Sequence, residues 1–339
     1  MYRKLTEMLF RLCGAAGTPG DESAPRDAAE REFAPYAETG TDTLGNLTAK
    51  MGDPEAREHI LVDAHLDQIG LIVTQVDENG FLHIDRCGGV DRRVMPGTAV
   101  TVFGEKPLCG IVCCMPPHLT GGKEEEVPEI AAMTVDIGCG AEEAKKLVHP
   151  GDRIAFRTEP KKLLGTRVSA PGLDNRASVA VMVRCAQMLA GEKLGCRVTF
   201  LCSTREEVGG QGAVTGAYLA SPTRAVAVDV GFARQPRVKP EQSGELGGGP
   251  MIGFAPVLDR GMSEQLVRIA EREKIPYRRD VMGGDTGTNS DAIAVTKEGV
   301  PTALVSVPER YMHTPAEVAD LRDIEMSARL IAAYIREAV

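Results

Sequence analysis

Residues 68–160 consist of short strand-like runs, whereas the sequence on either side alternates between helical and strand patterns. Apolar runs such as IGLIVTQV, TAVTVFGE and DRIAFRT are separated by Gly, Pro and Asn turns, which is typical of an all-β segment. Elsewhere, strands such as RVTFLCS alternate with amphipathic helices, one of which (MSEQLVRIAEREK) has Ser263 as its candidate cap. The sequence therefore predicts an α/β domain, residues 1–67 and 161–339, interrupted by a β-rich inserted domain, residues 68–160.

The composition narrows the class of partner. The chain has 339 residues, of which 43% are hydrophobic, and a formal net charge of −9. Nucleic-acid backbones and anionic membranes repel such a chain, so we expect neither as a partner, and small substrates or peptides fit better. Glu7 and Arg11 interrupt the only candidate signal-peptide core, and no apolar stretch approaches the ~20 residues of a membrane span. Nine scattered cysteines without a C-x-x-C pair indicate reduced thiols and a cytoplasmic protein.

Acidic and histidine side chains recur directly after the apolar strands of the α/β part. In open α/β sheets, ligands bind outside the carboxyl ends of the strands, so these side chains are expected to converge on one pocket. They are His65 and Asp67 in ILVDAHLD, Asp174 in SAPGLDNR, Glu206 and Glu207 in LCSTREEVGG, Asp229 in VAVDV and His313 in VSVPERYMH. Taken singly, H-x-D is more often a surface pair and E-E before two glycines is more often a solvated turn.

Carboxylates and histidines in one pocket indicate metal ions. Five carboxylates would repel one another strongly, and two divalent cations relieve that repulsion. His65 and Asp67 are two residues apart on an extended chain, so their side chains point to the same side. One of them can bind a metal ion while the other orients that ligand. Glu206 and Glu207 are adjacent and must diverge, which favours Glu207 as a ligand and Glu206 as a general base. Oxygen and nitrogen ligands fit zinc, cobalt or manganese.

Five motifs in this order resemble the tetrahedral dinuclear-metal aminopeptidases, a family that includes glutamyl aminopeptidases and proteins labelled cellulase M. They are AHLDQIG, GLDNR, TREEVGGQGA, AVDV and RYMHTP, with the β-rich insertion after the first, and the similarity covers essentially the whole chain. The resemblance implies a mixed-sheet, zinc-aminopeptidase-like metallopeptidase fold. It also implies an inserted domain that serves in oligomer assembly, with a dimer and a dodecamer both left open.

The resemblance further implies the roles of the site residues and two metal ions per chain, zinc or cobalt before manganese. The implied residues are His65 and Asp229 on one ion, Glu207 and His313 on the other, Asp174 bridging both, Glu206 as general base and Asp67 as the partner that orients His65. The Asp174–Asn175 peptide is implied to be cis. Two positions depart from the family pattern: Gln68 follows Asp67 where Glu is frequent, and Asn289 ends TGTN where Asp is frequent. Neither is an implied ligand, so they bear on the tuning of the site and on substrate preference.

We therefore predict a metal-dependent aminopeptidase that removes N-terminal residues from peptides with a water activated by two metals in the α/β catalytic domain. The alternatives are a related carboxypeptidase, deacylase or glycosidase, or a non-enzymatic homo-oligomer with structural metals. A glycosidase would leave Asp174, His65 and His313 without a role. A structural metal site would have no use for Glu206 beside its ligands.

The direction of cleavage is inferred from the lack of an arginine assigned to hold a substrate carboxylate. Arg176 opens a helix, and Arg205 is expected to point away from Glu206 on its strand. A free α-amine, in contrast, suits a carboxylate-lined pocket. We therefore expect peptide substrates with a free amino terminus.

Overall fold

The computed structural model describes residues 2–119, 121 and 127–338, which form a large mixed sheet covered by helices and a separate six-stranded barrel. The helices are α1 (Arg3–Gly14), α2 (Ser23–Phe33), α3 (Ala141–Leu147), α4 (Leu173–Leu189), α5 (Gln211–Ala220), α6 (Arg260–Arg272), α7 (Asn289–Ala294) and α8 (Leu321–Arg336). The strands are β1 (Glu38–Thr41), β2 (Leu47–Gly52), β3 (His59–His65), β4 (Gly70–Val76), β5 (Leu82–Cys87), β6 (Ala99–Phe103), β7 (Pro107–Val112), β8 (Thr134–Asp136), β9 (Arg153–Phe156), β10 (Lys161–Lys162), β11 (Arg167–Ala170), β12 (Arg197–Ser203), β13 (Arg224–Phe232), β14 (Met251–Phe254), β15 (Arg278–Val281), β16 (Thr302–Arg310) and β17 (Glu317–Asp320). The predicted α/β class with a β-rich unit is confirmed.

The large sheet contains eleven of the described strands. Their order is β1-β2-β12-β3-β13-β16-β17-β11-β10, and β14 joins β16 with β15 on its other side. In the centre, β12, β3, β13 and β16 run parallel. Both faces of this region are covered, by α1, α4 and α8 on one side and by α5 and α7 on the other. Strands buried on both faces carry continuous apolar runs, and all seven residues of β3 are accordingly buried.

The barrel closes in the order β4-β5-β8-β7-β6-β9, with β9 returning to β4. Its strands lie between Gly70 and Phe156. Closure pairs the backbone edges that an isolated sheet would leave open. The expectation of an all-β segment was wrong in one place, because α3 lies within it. The sequence AEEAKKL has acidic residues in its first turn and basic residues in its last turn, which suits the helix dipole, and its Ala144 is buried.

The start of α6 also differs from the sequence prediction. The helix begins at Arg260, and Asp259 is its cap, with a side chain that accepts a hydrogen bond from the backbone N–H of Met262. Ser263 lies inside the helix, where its hydroxyl donates to the carbonyl of Gly253 at 2.8 Å. Tertiary packing against β14 therefore determines the role of Ser263. Within the described ranges, every helix is too short or too polar to cross a membrane.

Candidate active site

The ends of the parallel strands bring the predicted site residues together. β3 ends at His65, which pairs in register with Ser203 at the end of β12, and Asp229 of β13 pairs with Ser306 of β16. Parallel strands share one carboxyl edge, so side chains that are distant in sequence meet there. Their donor atoms form two groups, His65 with Asp174 and Asp229, and Asp174 with Glu207 and His313, and within each group the atoms lie within 4.8 Å of one another.

Asp174 belongs to both groups. Its Oδ1 lies 3.1 Å from Nε2 of His65, and its Oδ2 lies 3.3 Å from Nε2 of His313. The residue stands at the start of α4, where Asp174 and Asn175 leave the helical conformation and the peptide between them is cis. Oδ1 is buried and accepts no hydrogen bond from the described residues. A buried carboxylate oxygen without a donor, facing an imidazole nitrogen, suits a cation bound between them.

Asp67 lies beside His65, and its carboxylate also has contacts that the sequence did not predict. Nδ1 of His65 lies 3.0 Å from the backbone carbonyl of Asp67, and because a carbonyl only accepts, this contact sets the tautomer with Nδ1 protonated and Nε2 free. The Asp67 carboxylate is farther from that ring, with Oδ1 at 3.6 Å. Its two oxygens accept hydrogen bonds from the backbone N–H groups of Glu206 (3.0 Å) and Glu207 (3.1 Å). Asp67 therefore anchors the turn that carries both glutamates.

Glu206 and Glu207 lie in a short 3₁₀ turn after β12, which explains why two acids follow a buried strand. The backbone at Arg205 is left-handed (φ 60°), and Gly209 (φ 126°) and Gly210 (φ 72°) continue the turn in conformations that favour glycine. Both side chains are largely buried at the site, where Glu207 joins a donor group while Glu206 is in neither group. Oε2 of Glu206 remains 3.8 Å from Nε2 of His65.

The pKa values show that this cluster favours added positive charge. Burial, reinforced by repulsion from Asp174, raises the pKa values of Glu207 and Asp229. Burial alone would lower the pKa of His65, but the surrounding carboxylates raise it well above its usual value. Hydrogen bonding to Asp174 raises the pKa of His313 to about 9. Divalent metal ions supply such charge, and a donor set of imidazole nitrogens and carboxylate oxygens fits them.

The residues of both groups line a cavity of about 1100 Å³. Arg237 and Lys239 also line this cavity, and the sequence analysis had considered neither of them as a partner for a substrate carboxylate. They come from the loop after β13, whereas sequence reasoning considered the arginines beside the motifs. Of those, Arg176 is fully buried and donates to two backbone carbonyls at the end of α1. Arg205 is in the turn rather than on the strand, so the alternation argument does not apply to it.

Glu317 is a site residue that sequence reasoning missed. Its Oε2 accepts a hydrogen bond from the backbone N–H of Asp174, and its Oε1 accepts one from that of His313, both at 3.2 Å. One buried carboxylate thus holds the backbone of two candidate ligands, including the left-handed His313 (φ 62°). The signal in the sequence was an acidic residue four positions after His313 at the start of a buried strand.

The barrel also contacts the site, through the glycines that follow β5. A Cβ at Gly89 would lie 2.5 Å from Nδ1 of His313, and a Cβ at Gly88 would lie 2.9 Å from Oε2 of Glu207. Both distances are shorter than real Cβ contacts, so a side chain at either position would displace His313 or Glu207. The inserted segment therefore forms part of the wall around His313 and Glu207.

Asn289 is buried and bonds to β3 and β12, two strands that end at the site. Its Nδ2 donates to Oδ2 of Asp63 at 2.8 Å and to Oγ of Ser203 at 2.9 Å. Asp63 lies two residues before His65 on β3, and Ser203 is the last residue of β12. Burial raises the pKa of Asp63 to about 6, and the hydrogen bonds from Ser203 and Asn289 oppose that shift. An aspartate at position 289 would face Asp63 with a second carboxylate. The amide is therefore the residue that suits this neighbour.

We expect Asn289→Asp to lower the free energy of unfolding by about 2 kcal/mol, because it removes a donor from a buried carboxylate and adds a like charge. Denaturant unfolding of the metal-free chain measures this. The double variant Asp63→Asn with Asn289→Asp exchanges donor and acceptor, and it should recover most of the loss. If the double variant loses as much unfolding free energy as the two single variants added together, the direct contact between Asp63 and Asn289 is contradicted.

Comparison with known proteins decides the family. The profile of the M42 glutamyl aminopeptidase family matches residues 45–330. The chain belongs to this family. A lysyl aminopeptidase of Pyrococcus furiosus is 30% identical over 305 residues, which are 88% of this chain and 87% of that protein. An aminopeptidase from the archaeon Desulfurococcus kamchatkensis has a TM-score of 0.92 at 32% identity, over 99% of this chain and 95% of that one. The TET1 peptidase of Pyrococcus horikoshii has a TM-score of 0.88 at 32% identity, over 98% of this chain and 99% of that one.

Membership of the M42 family confirms the predicted fold and activity. The chain is an aminopeptidase, a hydrolase of peptide bonds. The same mixed sheet with a barrel occurs in the solved M42 and TET structures. In this M42 peptidase the two donor groups that share Asp174 are suited to divalent metal ions.

Proposed function

We propose that this M42 peptidase is a dinuclear enzyme that holds two divalent ions per chain, zinc, cobalt or manganese, and removes N-terminal residues from peptides. The proposal depends on one observation: the two carboxylate oxygens of Asp174 face two different donor groups. His65 and Asp229 would complete one set of ligands, and Glu207 and His313 the other. No cysteine belongs to either group, which favours metals that bind nitrogen and oxygen.

The residues around the metals have distinct tasks in this mechanism. When bound, the ions supply Lewis acidity that polarises the scissile carbonyl and lowers the pKa of a water. Glu206 lies beside the ligands without belonging to them, 3.8 Å from Nε2 of His65. We assign to its carboxylate the removal of a proton from the attacking water and the transfer of that proton to the leaving amine. Asp67 keeps Glu206 in position through the backbone hydrogen bond to its N–H.

The charges of the cavity support cleavage at the amino end. The carboxylate of Glu206 lies beside the donor groups and that of Asp229 belongs to one of them; both line the cavity and attract an α-ammonium group. Arg237 and Lys239 are exposed on their loop, so they suit the remainder of the peptide or its carboxyl end. The rival activities, carboxypeptidase, deacylase and glycosidase, and a purely structural metal site predict different products.

One peptide tested in three forms distinguishes these activities. We expect the metal-loaded protein to remove residues one at a time from the free peptide and from its carboxyl-terminal amide. Amino-terminal acetylation should lower the rate by about 100-fold, because it removes the charged group that the carboxylates attract. Mass spectrometry follows the products, and treatment with a chelator should stop all cleavage. Trimming of the acetylated peptide from its carboxyl end, or full activity after metal removal, would contradict the proposal.

We further propose a dimer-based homo-oligomer, up to a dodecamer, that works in the cytoplasm and in which the inserted domain, residues 68–160, takes part. The TET1 peptidase of Pyrococcus horikoshii is described as able to assemble into a tetrahedron or a large octahedral shell. This chain exposes large apolar side chains on both units, at Met115 and Leu119 beside the barrel and at Tyr218 and Leu219 on α5. Such surfaces favour association. All nine cysteines are described and free, which suits a reducing compartment.

Light scattering should give a particle several times heavier than the 36.2 kDa chain. The double variants Met115→Glu with Leu119→Glu, and Tyr218→Glu with Leu219→Glu, test the two surfaces separately, because a charge on a buried contact disfavours association. We expect the first variant to reduce the mass of the particle. A wild-type protein that stays monomeric at micromolar concentration would rule out the assembly, and loss of assembly only in the second variant would exclude the barrel from it.

A further inference from the structure

The cavity has a second wall that is chemically distinct from the metal ligands. In the sheet, Asp280 of β15 lies opposite Gly253 of β14. Gly253 in turn lies against Leu304 of β16, because an added Cβ there would be 2.9 Å from the Cβ of Leu304. Leu304 is two residues before Ser306, whose register partner is Asp229. One face of the sheet therefore leads from the candidate metal ligands past Leu304 to Asp280.

Asp280 is a carboxylate without a hydrogen-bond partner among the described residues. It is half-buried in the cavity wall, and its carboxylate makes no hydrogen bond or close ion pair there. Burial raises the pKa of Asp280, and Arg278, two residues away on the same strand, opposes that shift by electrostatic attraction. A partly desolvated carboxylate on a rigid strand gains more from a cation than an exposed one does.

We propose that Asp280 binds the side chain of the first substrate residue and that the enzyme prefers lysine or arginine at that position. This inference rests on the proposed aminopeptidase function. Leu304 and Met282 line the cavity and provide apolar contact for the methylene stem, and Asp280 receives the charged end. Asp280 and Leu304 are two strand spacings apart, roughly 10 Å. Only a long side chain that passes Leu304 reaches the carboxylate.

Two other charged residues of the cavity would favour the opposite preference. Arg237 and Lys239 would attract an acidic side chain, but both are exposed on the loop after β13. The side chain of Gln235 in this loop accepts a hydrogen bond from the backbone N–H of Tyr311 at 2.9 Å, which ties the loop to the segment leading to His313. Beyond Leu304, the same sheet continues through Gly253 of β14 to Asp280 of β15, and we assign the first side chain to this wall.

Substrates that differ only in charge test the proposal. The metal-loaded enzyme is given p-nitroanilides of lysine, arginine, norleucine, leucine and glutamate, where norleucine has an unbranched aliphatic side chain without the ammonium group. We expect kcat/KM for lysine to exceed that for norleucine by about tenfold. Asp280→Asn should lower this ratio about tenfold. The matched control Asp285→Asn, which removes an exposed carboxylate from the same cavity, should change the ratio less than about twofold.

Inhibition by free amino acids provides a second measurement in the unmodified enzyme. With the leucine substrate, L-lysine should inhibit at a lower concentration than L-norleucine, even if Asp280→Asn fails to fold. A preference for glutamate, or an unchanged ratio in folded Asp280→Asn, would overturn the role of Asp280. If the metal-loaded wild type hydrolyses none of the five substrates, the proposed function itself is overturned.

Discussion

Glu206→Gln should lower kcat by about 1,000-fold and leave the metal content unchanged, because general bases contribute roughly 100- to 10,000-fold to rate. The substitution keeps the size of the side chain and removes only its ability to accept a proton. Glu206 belongs to neither donor group, and its backbone N–H still donates to Asp67. Kinetics with a free-amino peptide and metal analysis of the same sample measure the two quantities together.

The neighbouring glutamate is the matched control for this experiment. Glu207→Gln makes the same chemical change one residue away, but Glu207 lies in the donor group with Asp174 and His313. We expect that variant to lose metal as well as activity. Wild-type turnover in Glu206→Gln would show that another group accepts the proton, and loss of metal from it would show that Glu206 is itself a ligand.

Asp174→Asn should weaken binding of both metal ions, each by more than about 100-fold, since even partners outside the ligand set change affinity 10- to 100-fold. Asp174 is the one residue common to both groups, with one oxygen toward His65 and the other toward His313. An amide has a single acceptor oxygen and no charge, so it cannot serve both groups. Metal analysis after dialysis against a defined free-metal concentration measures the loss.

Asp229→Asn is the comparison for this variant, because Asp229 belongs to one group only. We expect it to lose one ion per chain while the second ion stays bound. Circular dichroism of each variant shows whether the fold is retained. Two tightly bound ions in folded Asp174→Asn would contradict the sharing of Asp174 and with it the dinuclear centre.

The α/β class and the gathering of the site residues were predictable because both follow from local patterns. Continuous apolar runs that end in acids or histidines predict parallel strands whose carboxyl ends form a site. The structure has His65, Asp174, Glu207, Asp229 and His313 within two small groups, and Glu206 beside them. Their roles as ligands and as base stay predictions, which the variants above test.

Other features were not predictable because they depend on contacts between distant segments. Glu317 holds the backbone of Asp174, which is 143 residues away. Asn289 faces Asp63 across 226 residues. Neither contact leaves a periodic or short-range signal in the sequence. The α3 helix was missed for a different reason, because its seven residues are too few for the turn-rich pattern around them to show a helical period.

The sequence by itself determined the order of the elements, the interruption of the α/β part by a β-rich segment and the residue types at the strand ends, since apolar periodicity and turn residues act over a few positions. Only the tertiary structure decided which atoms meet. It gave the Asp67 carboxylate hydrogen bonds to the Glu206 turn in addition to its position near the ring of His65, and it brought Gly89 of the inserted segment against His313. It also left Asp280, in the cavity wall, without a hydrogen-bond partner among the described residues. The physical reason is that a side chain's partners depend on the register and packing of segments far apart in the chain, which local patterns do not encode.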